Sequence, residues 1–211
     1  MKKICLLIIV LILTGCGIEE ESTKLTNKKW VDGKIFYYIS PEIKQNKTLR
    51  DRIYFVLDEI EDKTSIEFYE CDEKKPYVVV FIADEKINSA TLGMCKNPVV
   101  RLNSFSTKII FHEVFHVLGF PHEHQRPDRD DYVTVNMEDV SPTIRGDFEI
   151  YNEDMFLYDY WKYPYDYKSI LHYKSNTYGV SMVKVSTGVE IITNNRPSVL
   201  DWKKLQEVYG G

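Results

Sequence analysis

Long basic runs and membrane-spanning apolar stretches are missing from this chain, cysteine and histidine are scarce, and each shortage closes off or narrows a class of function. The 211 residues carry a formal charge of −5 with no extended block of Lys and Arg, so nucleic acid is not an expected partner. The apolar stretch at residues 4–13 is too short to cross a bilayer. Internal repeats and low-complexity inserts are absent as well. What is present, 44% hydrophobic and 13% aromatic residues, suffices for the core of one domain of ordinary size.

The start of the chain reads as an export signal. Lys2 and Lys3 precede the apolar run, the pattern of a secretory leader. Its end, "LTGC" at residues 13–16, resembles the lipobox of bacterial lipoproteins. Residues 1–15 are therefore expected to be a lipoprotein signal peptide and Cys16 the lipidated residue, anchoring the protein to a membrane; a plain signal peptide with an incidental cysteine is the alternative. Residues 16–29 are polar and unpatterned, a tether, and residues 30–211 form the domain. The expected location is the bacterial cell envelope. Gly17 follows Cys16 where an aspartate retains many lipoproteins in the inner membrane, so the outer membrane or cell surface is preferred. Cys5 leaves with the leader, which leaves Cys71 and Cys95. In an oxidising compartment these two are expected to form a disulfide, two buried thiols being the alternative.

Apolar periodicity gives a coarse order of elements. Strands are expected at 34–39, 66–70, 77–83 and 99–103, and a helix ending near Thr64 carries Leu49, Ile53, Leu57 and Ile60 on one face. A helix over 107–118 stops at Gly119, regular signals thin out beyond Asp131, and Leu200, Leu205 and Val208 mark a short closing helix.

Of five histidines in all, four crowd into "FHEVFHVLGFPHEHQRPDRDDYV", residues 111–133. His112 and His116 are four apart on the helix, so both imidazoles project from one face and can share an ion. Gly119 can adopt the positive φ that ends a helix and returns His122 toward the same point. Three neutral imidazoles leave zinc's fourth position open, the pattern of a catalytic centre rather than a closed structural one. Glu113, beside the first ligand, faces that open position as a general base for a water whose pKa zinc lowers to about 7. HExxH alone is a weak signal, equally compatible with two buried core histidines. Here His112, Glu113, His116, Gly119 and His122 complete HExxHxxGxxH, the metzincin signature.

The run from His112 through Glu123 to Val133 closely resembles the astacin family of zinc endopeptidases. "KKWVDGKIFYYI" is similar to the start of its catalytic domain, "YPYDYKSILHY" (163–173) to its Met-turn and "SVLDWKKLQEVYG" to its closing helix. The resemblance implies an α+β fold of the metzincin type in two lobes: a mixed twisted sheet with two helices, then an irregular lobe with a C-terminal helix. It implies one Zn2+ per chain on His112, His116 and His122. Tyr173 would approach the zinc at rest and swing away to hydrogen-bond the oxyanion. The strand at 99–103 would form the sheet edge beside the cleft, where an extended peptide could pair with it. Family members often favour an acidic residue after the scissile bond, and no basic residue is assigned to that preference.

Two positions depart from the family pattern. Leu171 stands where the Met-turn has methionine, an apolar floor of similar volume. Glu123 in the family meets the free amino terminus of the matured enzyme, but residues 17–29 are too short for a usual propeptide. Here Glu123 is expected to hold a nearby cation or a hydrogen-bond network. Arg126, Asp128, Arg129 and Asp130 are expected to form internal ion pairs rather than substrate contacts, His172 to be structural, and the tyrosines of 158–167 to pack. The function expected is that of a monomeric zinc endopeptidase acting on protein or peptide. The rivals are a metal-binding adhesin on the same scaffold and a zinc hydrolase of non-peptide amides.

Overall fold

The structure, a computed structural model, describes residues 27–210. The expected signal peptide, the expected lipidation site Cys16 and most of the expected tether thus lie outside the described residues. Residues 27–29, expected in the tether, belong to the fold instead. The Asn27 amide donates to the carbonyls of Gly119 and Met155, the Lys28 carbonyl accepts from Met94, and Lys29 donates to the Val208 carbonyl. Gly93 and Gly119 make the space: both have positive φ, 65° and 94°, and a Cβ on either would crowd the Asn27 side chain.

The first half alternates strands and helices. β1 (Lys34–Ile39) buries Ile35, Tyr37 and Ile39 at the period of two that a strand requires. A short α1 (Pro41–Gln45) leads into α2 (Lys47–Lys63), whose first turn is capped by the Asn46 side chain accepting from the Leu49 amide at 3.1 Å. α2 buries Leu49, Ile53, Leu57 and Ile60 as expected, with Val56 beside them. β2 (Glu67–Glu70), β3 (Val79–Ala83), β4 (Ser89–Ala90) and β5 (Val99–Leu102) follow, then α3 (Thr107–Val117). The sheet order is β2-β1-β3-β5-β4, parallel except for β4. The expectation that the strand at 99–103 forms the sheet edge is corrected here: β5 is interior, and the two residues of β4 pair antiparallel outside it.

The expected Cys71–Cys95 disulfide is not formed. Cys71 follows β2 and its amide bonds to Tyr37 of β1, whereas Cys95 lies in the connection between β4 and β5. β1 and β3 lie between β2, which Cys71 follows, and β5, which Cys95 precedes.

Beyond α3 the chain runs mainly through single 3-10 turns, with one two-stranded sheet of β6 (Val133–Val135) and β7 (Met182–Lys184), before α4 (Val199–Tyr209) closes the fold. A large core lies between the five-stranded sheet, α2 and α3, and takes in Ile170, Leu171 and the apolar face of α4. A smaller one, around Val133, Phe148, Tyr165, Val180 and Met182, supports the irregular half. The architecture is the expected α+β arrangement, and the histidines sit where the two halves meet.

Candidate active site

α3 is apolar nearly all round, burying Ile110, Phe111, Val114, Phe115 and Val117, so packing fixes its rotation. That rotation turns His112 and His116 into a cleft of about 840 Å³. Gly119 ends the helix with its amide on the His116 carbonyl at 2.8 Å, and Phe120 bonds back to Phe115 at 3.0 Å. The reversal carries His122 to the same point. The three Nε2 atoms are 3.1 Å (His112 to His116), 3.2 Å (His116 to His122) and 3.2 Å (His112 to His122) apart.

Each ring is oriented by its other nitrogen. Nδ1 of His112 donates to the Ile170 carbonyl at 2.8 Å, Nδ1 of His116 to the Phe120 carbonyl at 2.7 Å, and Nδ1 of His122 to Oε1 of Gln125 at 3.1 Å. With Nδ1 protonated, each Nε2 presents a lone pair. Burial keeps the rings neutral: it lowers the pKa of His112 to about 4, that of His116 to about 3 with help from His112, and that of His122 well below its usual value. Three lone pairs this close have no proton to share. Ligands 2.0–2.1 Å from a tetrahedral zinc stand roughly 3.3 Å apart, so the donor set fits one such ion. No other cluster of His, Cys, Asp or Glu suited to a metal occurs among the described residues.

Glu113 lines the same cleft at 4% exposure. Among the described residues no hydrogen bond reaches its carboxylate, and burial pushes its pKa up to about 8. Tyr173 packs its ring 4.4 Å from that of His122 and 4.5 Å from that of His124, with Phe148 and Tyr178 beside it. His172 stays out of the triad, bonded to the Tyr165 hydroxyl and the Tyr173 carbonyl.

Glu123 has a cation on each oxygen. Lys204 of α4 donates to Oε2 at 2.6 Å, and Arg126 donates to Oε1 at 2.9 Å. The Asp166 amide also reaches Oε1, and the Glu123 amide bonds to the Leu171 carbonyl at 3.2 Å. Burial opposes the Glu123 charge, but Lys204 and Arg126 outweigh it and hold the pKa below the usual carboxylate range. Arg126, 1% exposed, forks onto Asp128 at 2.9 and 2.8 Å. Asp130 and Asp131 at the end of the charged run are exposed, with Asp130 paired to Arg129 at 3.0 Å. Leu171 is buried in the main core.

Sequence reading had not identified Gln125, the carbonyls of Phe120 and Ile170, or Lys204. The carbonyls leave no signal in side-chain identity. Lys204 does, because it sits beside Leu205 and four residues before Val208 on the apolar face of a short helix, where a lysine needs a buried partner. Lys86 and Ile87 to Ala90 also line the cleft, as do Lys108, Lys174 and Thr193. The Lys108 ammonium donates to Thr193 at 2.9 Å.

Known proteins resemble this chain in sequence and fold. The chain is 29% identical over 192 residues to zinc metalloproteinase nas-14 of Caenorhabditis elegans, covering 87% of this chain and 37% of that protein. It is 29% identical over 171 residues to flavastacin of Elizabethkingia meningoseptica, covering 76% and 37%. The chain thus spans little more than a third of the length of these curated relatives. Its fold matches high choriolytic enzyme 1, a hatching enzyme zinc-protease from the medaka Oryzias latipes, with a TM-score of 0.71 at 25% identity, covering 90% of this chain and 96% of that one. The sequence profile of the Astacin peptidase family matches residues 22–210. With three convergent imidazoles, the HExxHxxGxxH helix end and a match along nearly its whole length, the chain belongs to the astacin family.

Proposed function

We propose that this chain is a zinc-dependent endopeptidase that hydrolyses peptide bonds in proteins outside the cytoplasm. The observation that carries the reading is the triangle of three Nε2 lone pairs within 3.2 Å, each ring locked through Nδ1, with Glu113 in the same cleft. His112, His116 and His122 hold one Zn2+ per chain. The ion held there would supply Lewis acidity for a scissile carbonyl and a water. Glu113, in the same cleft, would take the proton of that water and deliver it to the leaving amine. The Tyr173 hydroxyl donates to the oxyanion as charge develops. Leu171 replaces the Met-turn methionine as an apolar floor. An extended substrate pairs with the exposed edge at β4, and Lys86, Lys108 and Lys174 supply cations for an acidic side chain next to the cut.

Anchoring through a lipid at Cys16 to a bacterial envelope, and a monomeric state, rest on the sequence. Labelling with a fatty acid, lost in Cys16→Ser, tests the anchor. The function is tested on residues 17–211 by bound zinc and casein cleavage, beside Glu113→Gln. Zinc near one per chain with cleavage confined to the wild type supports the peptidase. Zinc without cleavage favours a binding module, and absence of zinc overturns the site.

A further inference from the structure

α4 reaches the supports of the ligand set through two charged side chains one helical turn apart. Asp201 accepts from the Ile170 amide at 2.8 Å and from the Ser169 hydroxyl at 2.6 Å, and the Ile170 carbonyl in turn orients His112. Three residues on, Lys204 donates to Glu123, the neighbour of His122 in the chain. Positions i and i+3 share a helix face, so this one face bears on the supports of two of the three ligands.

Lys204 is 2% exposed, as is Glu123. The ammonium could not be left without a partner at that depth, and buried ion pairs contribute little net stability compared with apolar side chains of similar volume. A leucine or methionine would extend the apolar face of Leu205 and Val208 at lower desolvation cost. What a lysine provides and an apolar residue does not is a fixed charge on Glu123. Glu123 and Asp128 carry two negative charges, and Arg126 and Lys204 carry two positive ones. Without Lys204, Glu123 is held by Arg126 and the Asp166 amide on one oxygen only, and the excess negative charge lies beside the bend that delivers His122.

We propose that Lys204 is a positioning residue for the metal centre, acting through Glu123 on His122. One of the two counter-cations of Glu123 is thus supplied from within the fold, by the closing helix. The inference rests on the zinc reading above, and the wild-type zinc and cleavage assay tests that reading separately.

The experiment compares wild type, Lys204→Met, Lys204→Arg and Lys204→Met/Glu123→Gln, each as the zinc and as the cobalt protein. It measures the zinc dissociation constant by chelator competition, the visible cobalt spectrum, kcat and KM on one peptide, and the thermal midpoint of the metal-free protein. Supports of metal ligands typically alter affinity by 10–100-fold, so Lys204→Met is expected to weaken zinc binding by at least about tenfold. Its cobalt bands shift and kcat falls more than KM changes. Lys204→Arg, which keeps a cation on Glu123, recovers most of the affinity. If Lys204→Met does not fold without metal, the double variant, which leaves no uncompensated carboxylate, carries the comparison with wild type. A Lys204→Met protein, or in its place the double variant, with a lower thermal midpoint but wild-type zinc affinity and cobalt spectrum shows helix packing only and overturns the proposal. If the wild type binds no zinc, the reading it rests on fails instead.

Discussion

Two buried glutamates, ten residues apart and on either side of Gly119, come from halves of the molecule built on different principles. Glu113 sits on a helix placed by apolar packing, and burial acts on its carboxyl without compensation. Glu123 sits in a half where buried charged side chains join a smaller apolar core as fixings. Of the buried polar side chains among the described residues, only Ser40 and Glu113 precede Glu123. The difference shows that a buried carboxylate left without partners is available for proton transfer, while one saturated with cations becomes a fastening.

The sharpest way to break this comparison is to make the same isosteric change in both. Glu113→Gln is expected to lower kcat by about 10²–10⁴-fold, the contribution of a general base, with zinc content and thermal midpoint essentially those of the wild type. The charged half should respond in stability instead. Arg126→Met leaves Glu123 and Asp128 short of one cation, a loss of about 3–5 kcal/mol, and calorimetry should show the midpoint fall by roughly 10 °C. Equal midpoints for Arg126→Met and wild type would refute the claim that charges fasten this half. Tyr173→Phe keeps the ring packed on His122 and His124 and removes only the hydroxyl. A drop in kcat of about 10²–10³-fold with zinc retained is expected for a lost oxyanion donor, and an unchanged kcat would reassign Tyr173 to packing. Ile53→Val, in the apolar half, should lower stability by only about 0.5–1.5 kcal/mol in urea unfolding and leave zinc affinity unmoved. The smallest effect is expected from Leu171→Met, a volume-conserving exchange costing under about 1.5 kcal/mol.

The regular elements were largely legible because their signals are local. β1 occupies the expected residues 34–39, and the apolar face of α2 is the expected one with Val56 added. α1 and β4 escaped notice because five and two residues carry no period, and β6 and β7 because three residues each cannot be told from loop. The site divides in the same way. His112, Glu113, His116 and His122 were readable from spacing along one helix and one turn. Of the two cations on Glu123, Arg126 is three residues away, but Lys204 was not readable, since it lies 81 residues downstream. The disulfide expectation failed for the same reason: cysteine count says nothing about which strands lie between two cysteines.

By itself the sequence determined what local geometry can encode: the phase of the helices and strands, the turn at Gly119, and a set of three imidazoles and one carboxyl within reach of a single point. Only the tertiary structure decided the rest: β4 rather than β5 at the sheet edge, the carbonyls that fix each imidazole tautomer, the separation of Cys71 from Cys95, and the lysine that faces Glu123. Those outcomes depend on which distant surfaces meet when apolar area is buried, and burial constrains total packing rather than any pair of residues that spacing alone could name.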